Sequence, residues 1–300
     1  MFAVQYDRFG GPEVLALGSA AAPRPKPGQV RVRVRAAGVS PADAALRSGR
    51  TPMGARLSLP HIPGVDAAGI VDELGDGVTG VAVGDAVFGV VDLGVLGGAT
   101  AEFAVLDVWA AKPAAMPWPQ AGAAGSSVET ATRALDRLDL RPGMTLLVDG
   151  AAGGVGSVAV QLAVARGVRV IGTARPASHE FVAGLGATPL TYGTGFPASV
   201  DRALDVAGAG SVPALVAVTG SPAHVVTLAD FTAAAHGVRL SMGSLAGEPS
   251  GAHGLQAVGG LVDSGRFTVP IEAAFAFEEA SKAHTAIEHG PRRGKIVLLP

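Results

Sequence analysis

The stretch MTLLVDGAAGGVGSVAVQLAVARG, residues 144–167, lies near the middle of a 300-residue chain, and the rest is read outward from it. Its first part, "MTLLVDG", is a short apolar run suited to a fully buried strand. Its second part, "GGVGSVAVQLAVARG", reads as a helix, with Val155, Val158, Leu162 and Ala165 on one face and Gly167 as the stop. Between them, Ala151-x-Gly153-x-x-Gly156 has the spacing of a strand–loop–helix turn that admits a pyrophosphate, with alanine in the first glycine place. Gly153 lets the phosphates approach bare backbone, and Gly156 lets the helix pack closely on the strand. The helix N-terminus supplies free N–H groups and partial positive charge. A lone match is weak in a chain with 43 glycines; the strand before it and the helix after it give it meaning.

Outward from the loop, strands and helices alternate. "VRVIGTA" is the next strand and "SHEFVAGLGA" the next helix, and strands recur at "RALDVAG", "HVVTLAD" and "GVRLSMG". That alternation predicts a parallel sheet with helices on both faces. Before "PWPQAG", residues 117–122, the texture is β. "QVRVRVRAAGV" alternates Val30, Val32 and Val34 with Arg31, Arg33 and Arg35, as a half-buried strand does. The arginine row is either an anion-binding face or the solvated side of that strand, and near-neutral net charge favours the second. "GIVDELGDGVTGVAVGDAVFGVV" breaks apolar runs with Gly-Asp pairs, as tight turns between barrel strands do. After the alternating region, "FEEASKAHTAIEHGP" reads as one helix, with Glu278 and Lys282 paired at i,i+4 and Gly290-Pro291 ending it. "GKIVLLP" is a last strand.

The residues after the second strand of the alternating region select the nucleotide. An NAD site places Asp or Glu about 20 residues past the glycine fingerprint, on the ribose 2′-hydroxyl. Here "GTARPASHE" offers Thr173, Arg175 and Ser178, and the first acid, Glu180, lies inside the next helix. An arginine pairs with a 2′-phosphate through a charge-assisted fork, so the expected cofactor is NADPH.

Composition removes several classes. Net charge of −2 leaves no basic footprint for nucleic acid, and 48% apolar with 16% charged residues describes a globular chain. There is no cysteine, which excludes disulfides, thiolate nucleophiles and sulfur-ligated zinc. The first residues, "MFAVQYDRFGGPEVL", lack the apolar core of a signal peptide, and no apolar run reaches the length of a membrane span, so a cytoplasmic protein is expected. No phosphate-binding G-x-x-x-x-G-K-[ST] occurs, since Gly294-Lys295 is followed by Ile296. Neither Tyr6 nor Tyr192 has a lysine four residues on, and no G-x-S-x-G or H-E-x-x-H is present.

These segments, in this order, resemble the zinc-free medium-chain dehydrogenase/reductases of the quinone oxidoreductase and enoyl reductase type. "FGGPEVL" is similar to the family's opening. "GVSPADAALRSG" resembles its Asn-Pro-x-Asp segment, with Ser40 in the Asn place and Asp43 kept. "LPHIPGVDAAGIVDELGDGVTGVAVGDAVFG" matches its long turn-rich signature, and "TATRAL", "GAAGGVG", "LGATPLTY", "ALDVAG" and "RRGKIVL" follow in place. The resemblance implies an α/β protein: a GroES-like β-barrel domain from residues 1–117 and 265–300, with a doubly wound Rossmann domain, residues 118–264, inserted. It also implies a cofactor cleft between the two and a homodimer.

Carried over by position, Ala152, Gly153, Gly154 and Val155 hold the pyrophosphate, and Thr173, Arg175, Ser178 and Tyr192 surround the 2′-phosphate. Thr130, Leu228, Ala229, Ser241 and Met242 line the path to the nicotinamide, with Ser40 near its ring. Two departures stand out. "PGVD" replaces the Gly-His-Glu of zinc-containing relatives, so His61 and Asp66 give at most two of the three ligands a catalytic zinc needs. "RSGRTP" puts Thr51 where many of these reductases carry tyrosine as a proton donor, and a threonine hydroxyl is a poor acid. The expected function is NADPH-dependent hydride transfer to a quinone or an activated C=C bond of a small hydrophobic substrate. Asp43 is the only catalytic candidate, with a turn or cap role as its alternative. A cofactor-binding sensor or scaffold without turnover is the other class of function.

Overall fold

The computed structural model describes residues 1–290 and 293–300, and it divides into two compact units. Unit 1 comprises Met1–Ser126 and Val269–Pro300, and unit 2 comprises Ser127–Thr268.

In unit 1 the strands are β1 (Phe2–Gln5), β2 (Ala16–Ser19), β3 (Val30–Val39), β4 (Asp66–Leu74), β5 (Ala86–Val91) and β6 (Phe103–Ala111). Strands β3 to β6 follow one another antiparallel, and β6 returns to pair with β3, which closes a barrel. Val30, Val32 and Val34 point into its core, with Ala104, Leu106 and Val71 among their buried companions. The arginines on the other side of β3 are not merely solvated. Arg31 forms a two-pronged pair with Asp72 at 2.9–3.0 Å and reaches Glu73 at 2.6 Å, while Arg33 pairs with Glu102 and lies over the Phe103 ring. The helix α1 (Pro41–Arg47) follows β3. Its last residue, Arg47, is fully buried, held by the Gly10 carbonyl at 3.0 Å and Glu288 at 2.5 Å.

Unit 2 carries β7 (Thr145–Asp149), β8 (Arg169–Ala174), β9 (Thr188–Thr191), β10 (Arg202–Asp205), β11 (Val225–Thr227) and β12 (Arg239–Leu240). All five pairings are parallel, in the order β12-β11-β10-β7-β8-β9. Counted within the unit this is 3-2-1-4-5-6 read from its other edge, the doubly wound Rossmann order. A 20-residue helix, α2 (Trp118–Arg137), enters the unit, and α3 (Gly154–Ala165), α4 (His179–Gly184), α5 (Val212–Thr219) and α6 (His253–Asp263) follow. Leu147, Ala203, Val212, Leu215 and Val225 belong to one core cluster of this sheet.

Two sequence expectations need correction. Helix α3 has no single apolar face: Gly156 to Ala163 are all buried, whereas Val155 is half-buried and Ala165 exposed. A helix built of small apolar residues on every side is packed on every side. The last helix, α7 (Ala280–His289), begins after a 3-10 turn over Phe277–Glu279, so it is not one continuous helix from the phenylalanine. That turn moves Glu278 out of reach, and Lys282 pairs with Glu279 at 2.7 Å instead. Gly290 caps α7; Pro291 and Arg292, parts of the expected stop and of "RRGKIVL", lie outside the described residues. Strand β13 (Ile271–Ala276) and β14 (Lys295–Leu299) complete the barrel sheet, β14 lying between β13 and β3.

Candidate nucleotide site

The glycine turn sits at the carboxyl end of β7, where the strand order reverses between β8 and β10. Ligands of open parallel sheets bind at such switch points. Gly150, at φ +100°, turns the chain out of the strand, and Gly153 caps α3 in extended conformation. The N–H of Gly153 donates to Gly150 O at 3.2 Å, and that of Ala151 to Thr173 O at 3.0 Å. A Cβ on Gly156 would stand 2.1 Å from Gly150 O, whereas one on Gly153 would meet only that carbonyl oxygen, at 3.6 Å. Gly156 is therefore required by packing, and Gly153 faces space a side chain would fill. The first N–H groups of α3 have no carbonyl within their own helix. This cradle fits a dinucleotide pyrophosphate.

Beside it, Thr173, the last residue but one of β8, is almost wholly buried. Its hydroxyl donates to Asp149 Oδ1 and accepts from the Gly150 N–H at 2.9 Å. Asp149, 2% exposed, takes a second hydroxyl from Ser211 at 2.6 Å. Thr173 thus braces the glycine turn from below. Tyr192 stands just past β9, and burial is the main cause raising its pKa, with the Thr173 hydroxyl acting the other way. Arg175 is exposed and enters no ion pair among the described residues, while Ser178 is buried, with its N–H on Arg175 O at 2.8 Å. Asp149 and Ser211 were missed from sequence. A lone acid at the end of an apolar strand and a serine in "GAGS" carry no periodic signal.

Further along the same sheet edge, Asp205 closes β10, with its Oδ1 receiving the N–H groups of Ala207 and Gly208, both at 2.9 Å. Its Oδ2 takes the Thr227 hydroxyl at 2.7 Å, and Thr227 in turn accepts from Ala229 N–H at 3.2 Å. Leu228 and Ala229 follow β11, half-buried. Ser241 is buried and engaged: its hydroxyl donates to Glu248 at 2.7 Å and accepts from Arg133. Arg133 also holds Glu129 at 3.1 Å and Thr130 at 3.3 Å, so Thr130 and Ser241 belong to one ionic network. Burial opposes the charge of Glu248, but the Ser241 hydroxyl, Gly243 N–H and Arg137 outweigh it and hold its pKa below the carboxylate norm. Met242, next to Ser241, is half-buried.

In unit 1, Ser40 and Asp43 form a capping box at the start of α1. Asp43 Oδ2 accepts from Ser40 N–H and Oγ–H, each at 2.7 Å, and Oδ1 accepts from Gly64 N–H at 3.2 Å. Burial pushes its pKa up, against the pull of those bonds. With both oxygens occupied, Asp43 orders a turn. Thr51 accepts from Met53 N–H at 3.3 Å and caps a short 3-10 turn. Tyr6 is buried beside His61, ring centroids 5.4 Å apart; its hydroxyl has no partner, and burial pushes its pKa up to about 12.

The residues present do not fit a zinc ion. His61 Nε2 is bound to the Leu96 carbonyl at 3.2 Å, and burial lowers its pKa. Asp66 is bound to Lys295 Nζ at 2.9 Å and to the Ser126 hydroxyl at 2.7 Å. Among the described residues no three His, Cys, Asp or Glu side chains gather as a metal site would need. Nor is any helix among them long and apolar enough to cross a membrane.

Comparison with known proteins agrees with this geometry. The alcohol dehydrogenase GroES-like domain matches residues 26–116, and the zinc-binding dehydrogenase domain matches residues 182–298. Rat quinone oxidoreductase is 40% identical over 178 residues, a match covering 58% of this chain and 53% of that protein. The chain thus spans about half the length of that relative. The chloroplastic NADPH-dependent alkenal/one oxidoreductase of Arabidopsis thaliana is 30% identical over 98% of this chain and 78% of its own. The structure of the quinone oxidoreductase from Coxiella burnetii superposes with a TM-score of 0.87 at 30% identity, covering 100% of this chain and 99% of that one.

Proposed function

This chain belongs to the medium-chain dehydrogenase/reductase family, in its quinone oxidoreductase-like branch, and we propose that it is an NADPH-dependent, zinc-independent reductase of quinones or of α,β-unsaturated carbonyl compounds. The observation that carries the reading is the glycine cradle at the β7 switch point, with an exposed Arg175 and no acid where an NAD site would place one. The N–H groups at Gly154 and Val155, with Ala152 and the bare Cα of Gly153 beside them, hold the pyrophosphate. Arg175 takes the 2′-phosphate through its guanidinium, in the company of Ser178 and Tyr192. Leu228, Ala229, Met242 and the Thr130–Ser241 network line the nicotinamide end.

The cofactor, once bound, supplies the hydride. The protein's own part is to fix the cofactor and to stabilise negative charge developing on the substrate oxygen. Asp43 has both oxygens bound, Oδ2 within its cap and Oδ1 to the Gly64 N–H, so proton delivery falls to solvent, which suffices for a quinolate or enolate oxygen. The names of the rat, Coxiella and Arabidopsis proteins support the two substrate classes, and the Arabidopsis name supports NADPH. A soluble cytoplasmic homodimer is the assembly we assign.

Steady-state NADPH oxidation with 1,4-naphthoquinone and with a 2-enal or enone tests the activity. Turnover with at least one is expected; turnover with none, while NADPH still raises the melting temperature, would leave a cofactor-binding sensor or scaffold. NADPH should raise that temperature more than NADH, and Arg175→Ala should shrink the difference. Stoichiometric zinc in the purified protein would overturn the zinc-independent part.

A further inference from the structure

Two arginines of the β3 row have partners and the third does not. Arg31 is held by Asp72 and Glu73, and Arg33 by Glu102 and the Phe103 ring. Arg35 is exposed, and its side chain has no hydrogen bond, ion pair or ring contact among the described residues. Its place follows from a seam in the barrel. On one edge of β3, β6 pairs as far as Arg33 and β14 takes over from Ala37. On the other edge the register against β4 slips between Val34 and Ala36, which leaves Arg35 as the extra residue of a bulge. A bulged residue is unpaired, and the bulge re-aims its side chain.

The seam opens into a groove of about 420 Å³, lined by Arg35, the Arg33–Glu102 pair, Phe2 and Trp118, and lying wholly within unit 1. Small molecules occupy sites of about 300–1,000 Å³. Both aromatic walls are anchored: Phe2 stands edge-on to Phe277 with centroids 6.0 Å apart, and the Lys112 ammonium lies over the Trp118 ring at 5.0 Å. Glu102 neutralises Arg33, whereas nothing neutralises Arg35; Pro300 also lines the groove, but its terminal carboxylate forms no ion pair with Arg35. We propose that this groove binds a small monocarboxylate with an aromatic body, its carboxylate on Arg35 and its ring against Phe2 and Trp118. A guanidinium offers its N–H groups as a fork that matches a carboxylate. Aromatic rings add offset or edge-on contacts to the area they bury. The site shares no residue with the glycine cradle, so the inference stands whether or not the cradle binds NADPH.

Trp109→Phe leaves Trp118 as the one tryptophan of the chain, so its fluorescence reports the groove. The full chain with that substitution is titrated with 4-phenylbutyrate and, separately, with 4-phenylbutyramide, which keeps the ring and removes the charge. The acid should change the Trp118 emission saturably and bind about fivefold more tightly than the amide, the upper end for a charge pair at an exposed side chain. Arg35→Gln should remove that preference by weakening the acid about fivefold and leaving the amide unchanged. The Arg35 side chain holds nothing in the fold, so this variant should melt with its parent. Arg35→Lys, which keeps the charge and loses the fork, should fall between the two. Arg175→Ala, at the exposed arginine of unit 2, should leave acid binding unchanged. Equal affinity for acid and amide, no saturable response at millimolar concentration, or control by Arg175 in place of Arg35 would each overturn the proposal.

Discussion

Adding one methyl group to Gly156 should do something different from adding one to Gly153, although the two lie three residues apart in the same turn. At Gly156 the new Cβ would stand 2.1 Å from Gly150 O, 2.9 Å from Gly150 C and 3.0 Å from Ala151 Cα. Ordinary carbon contacts lie at about 3.5–4.0 Å, so the collision exceeds 1 Å and falls on backbone that no rotamer change can move. Overpacking of this kind costs up to about 3 kcal/mol, and the better helix propensity of alanine returns about 1 kcal/mol. The net loss of about 2 kcal/mol should lower the melting temperature by about 4–8 °C for a protein of this size class.

At Gly153 the Cβ meets only Gly150 O at 3.6 Å, and the backbone, φ −74° and ψ 175°, suits alanine. The weaker N-cap and the reduced unfolded-chain entropy offset each other at about 0.5–1 kcal/mol apiece. Gly153→Ala should therefore melt within about 2 °C of the wild type. Its methyl group nevertheless stands where the phosphates run, so added NADPH should no longer raise the melting temperature. Thermal unfolding of both variants with and without NADPH is the assay. A Gly156→Ala protein that melts like the wild type refutes the close approach of helix and strand. A Gly153→Ala protein stabilised by NADPH as fully as the wild type refutes the path of the pyrophosphate.

Other perturbations test unit 1. His284 is buried with Nδ1 unpartnered, and burial together with the Arg47 charge holds its pKa at about 3 against an ordinary 6.5. Below pH 6.5 the unfolded chain takes up a proton that the folded one refuses, so this residue costs stability as pH falls, down to the folded pKa. Chemical denaturation at pH 6.5 and pH 5 should differ by about 2 kcal/mol more in the wild type than in His284→Gln. Tyr6→Phe removes an orphaned buried hydroxyl, so urea denaturation should show unchanged stability or a gain of about 1 kcal/mol; a loss above that size would reveal a partner. Lys295→Met strands the buried Asp66 carboxylate and should cost about 3–5 kcal/mol, with partial recovery on adding Asp66→Asn.

Much of this molecule was legible because its signals are local. The period of two in Val30, Val32 and Val34, the apolar run before Gly150 and the spacing Gly153-x-x-Gly156 each fit within one element. The order of motifs supplied the family and, through it, the barrel and the parallel sheet. What stayed hidden was long-range or featureless. Helix α2 carries its apolar stripe, Ala121, Ala124, Val128, Ala131 and Leu135, mostly on small residues; Gly122 and Gly125 sit where a Cβ would strike Ala36 and Gly89, so they serve close packing in unit 1. Arg47 meets Glu288 across 241 positions, and Asp149 meets Ser211 across 62, separations that no periodicity encodes. Among the expected site residues, Thr173, Ser241 and Asp43 proved to be spending their polar atoms on neighbouring loops. Their residue types suggested ligand contact; their burial gives them the work of holding other groups in place.

Strand β14 has a consequence for how the chain comes to be folded in the cell. It lies between β13 and β3, pairing Val297 with Gly38, and its first residue, Lys295, neutralises the buried Asp66. All of these partners are synthesised earlier, and the whole of unit 2 is synthesised between Asp66 and Lys295. A ribosome-bound chain can thus complete the sheet of unit 2 while one edge of β3 still waits open, with an unneutralised carboxylate beside it. Pairing of β14 with β3 therefore follows the synthesis of unit 2, and during that interval the open edge at Ala37–Val39 is the segment most in need of a chaperone.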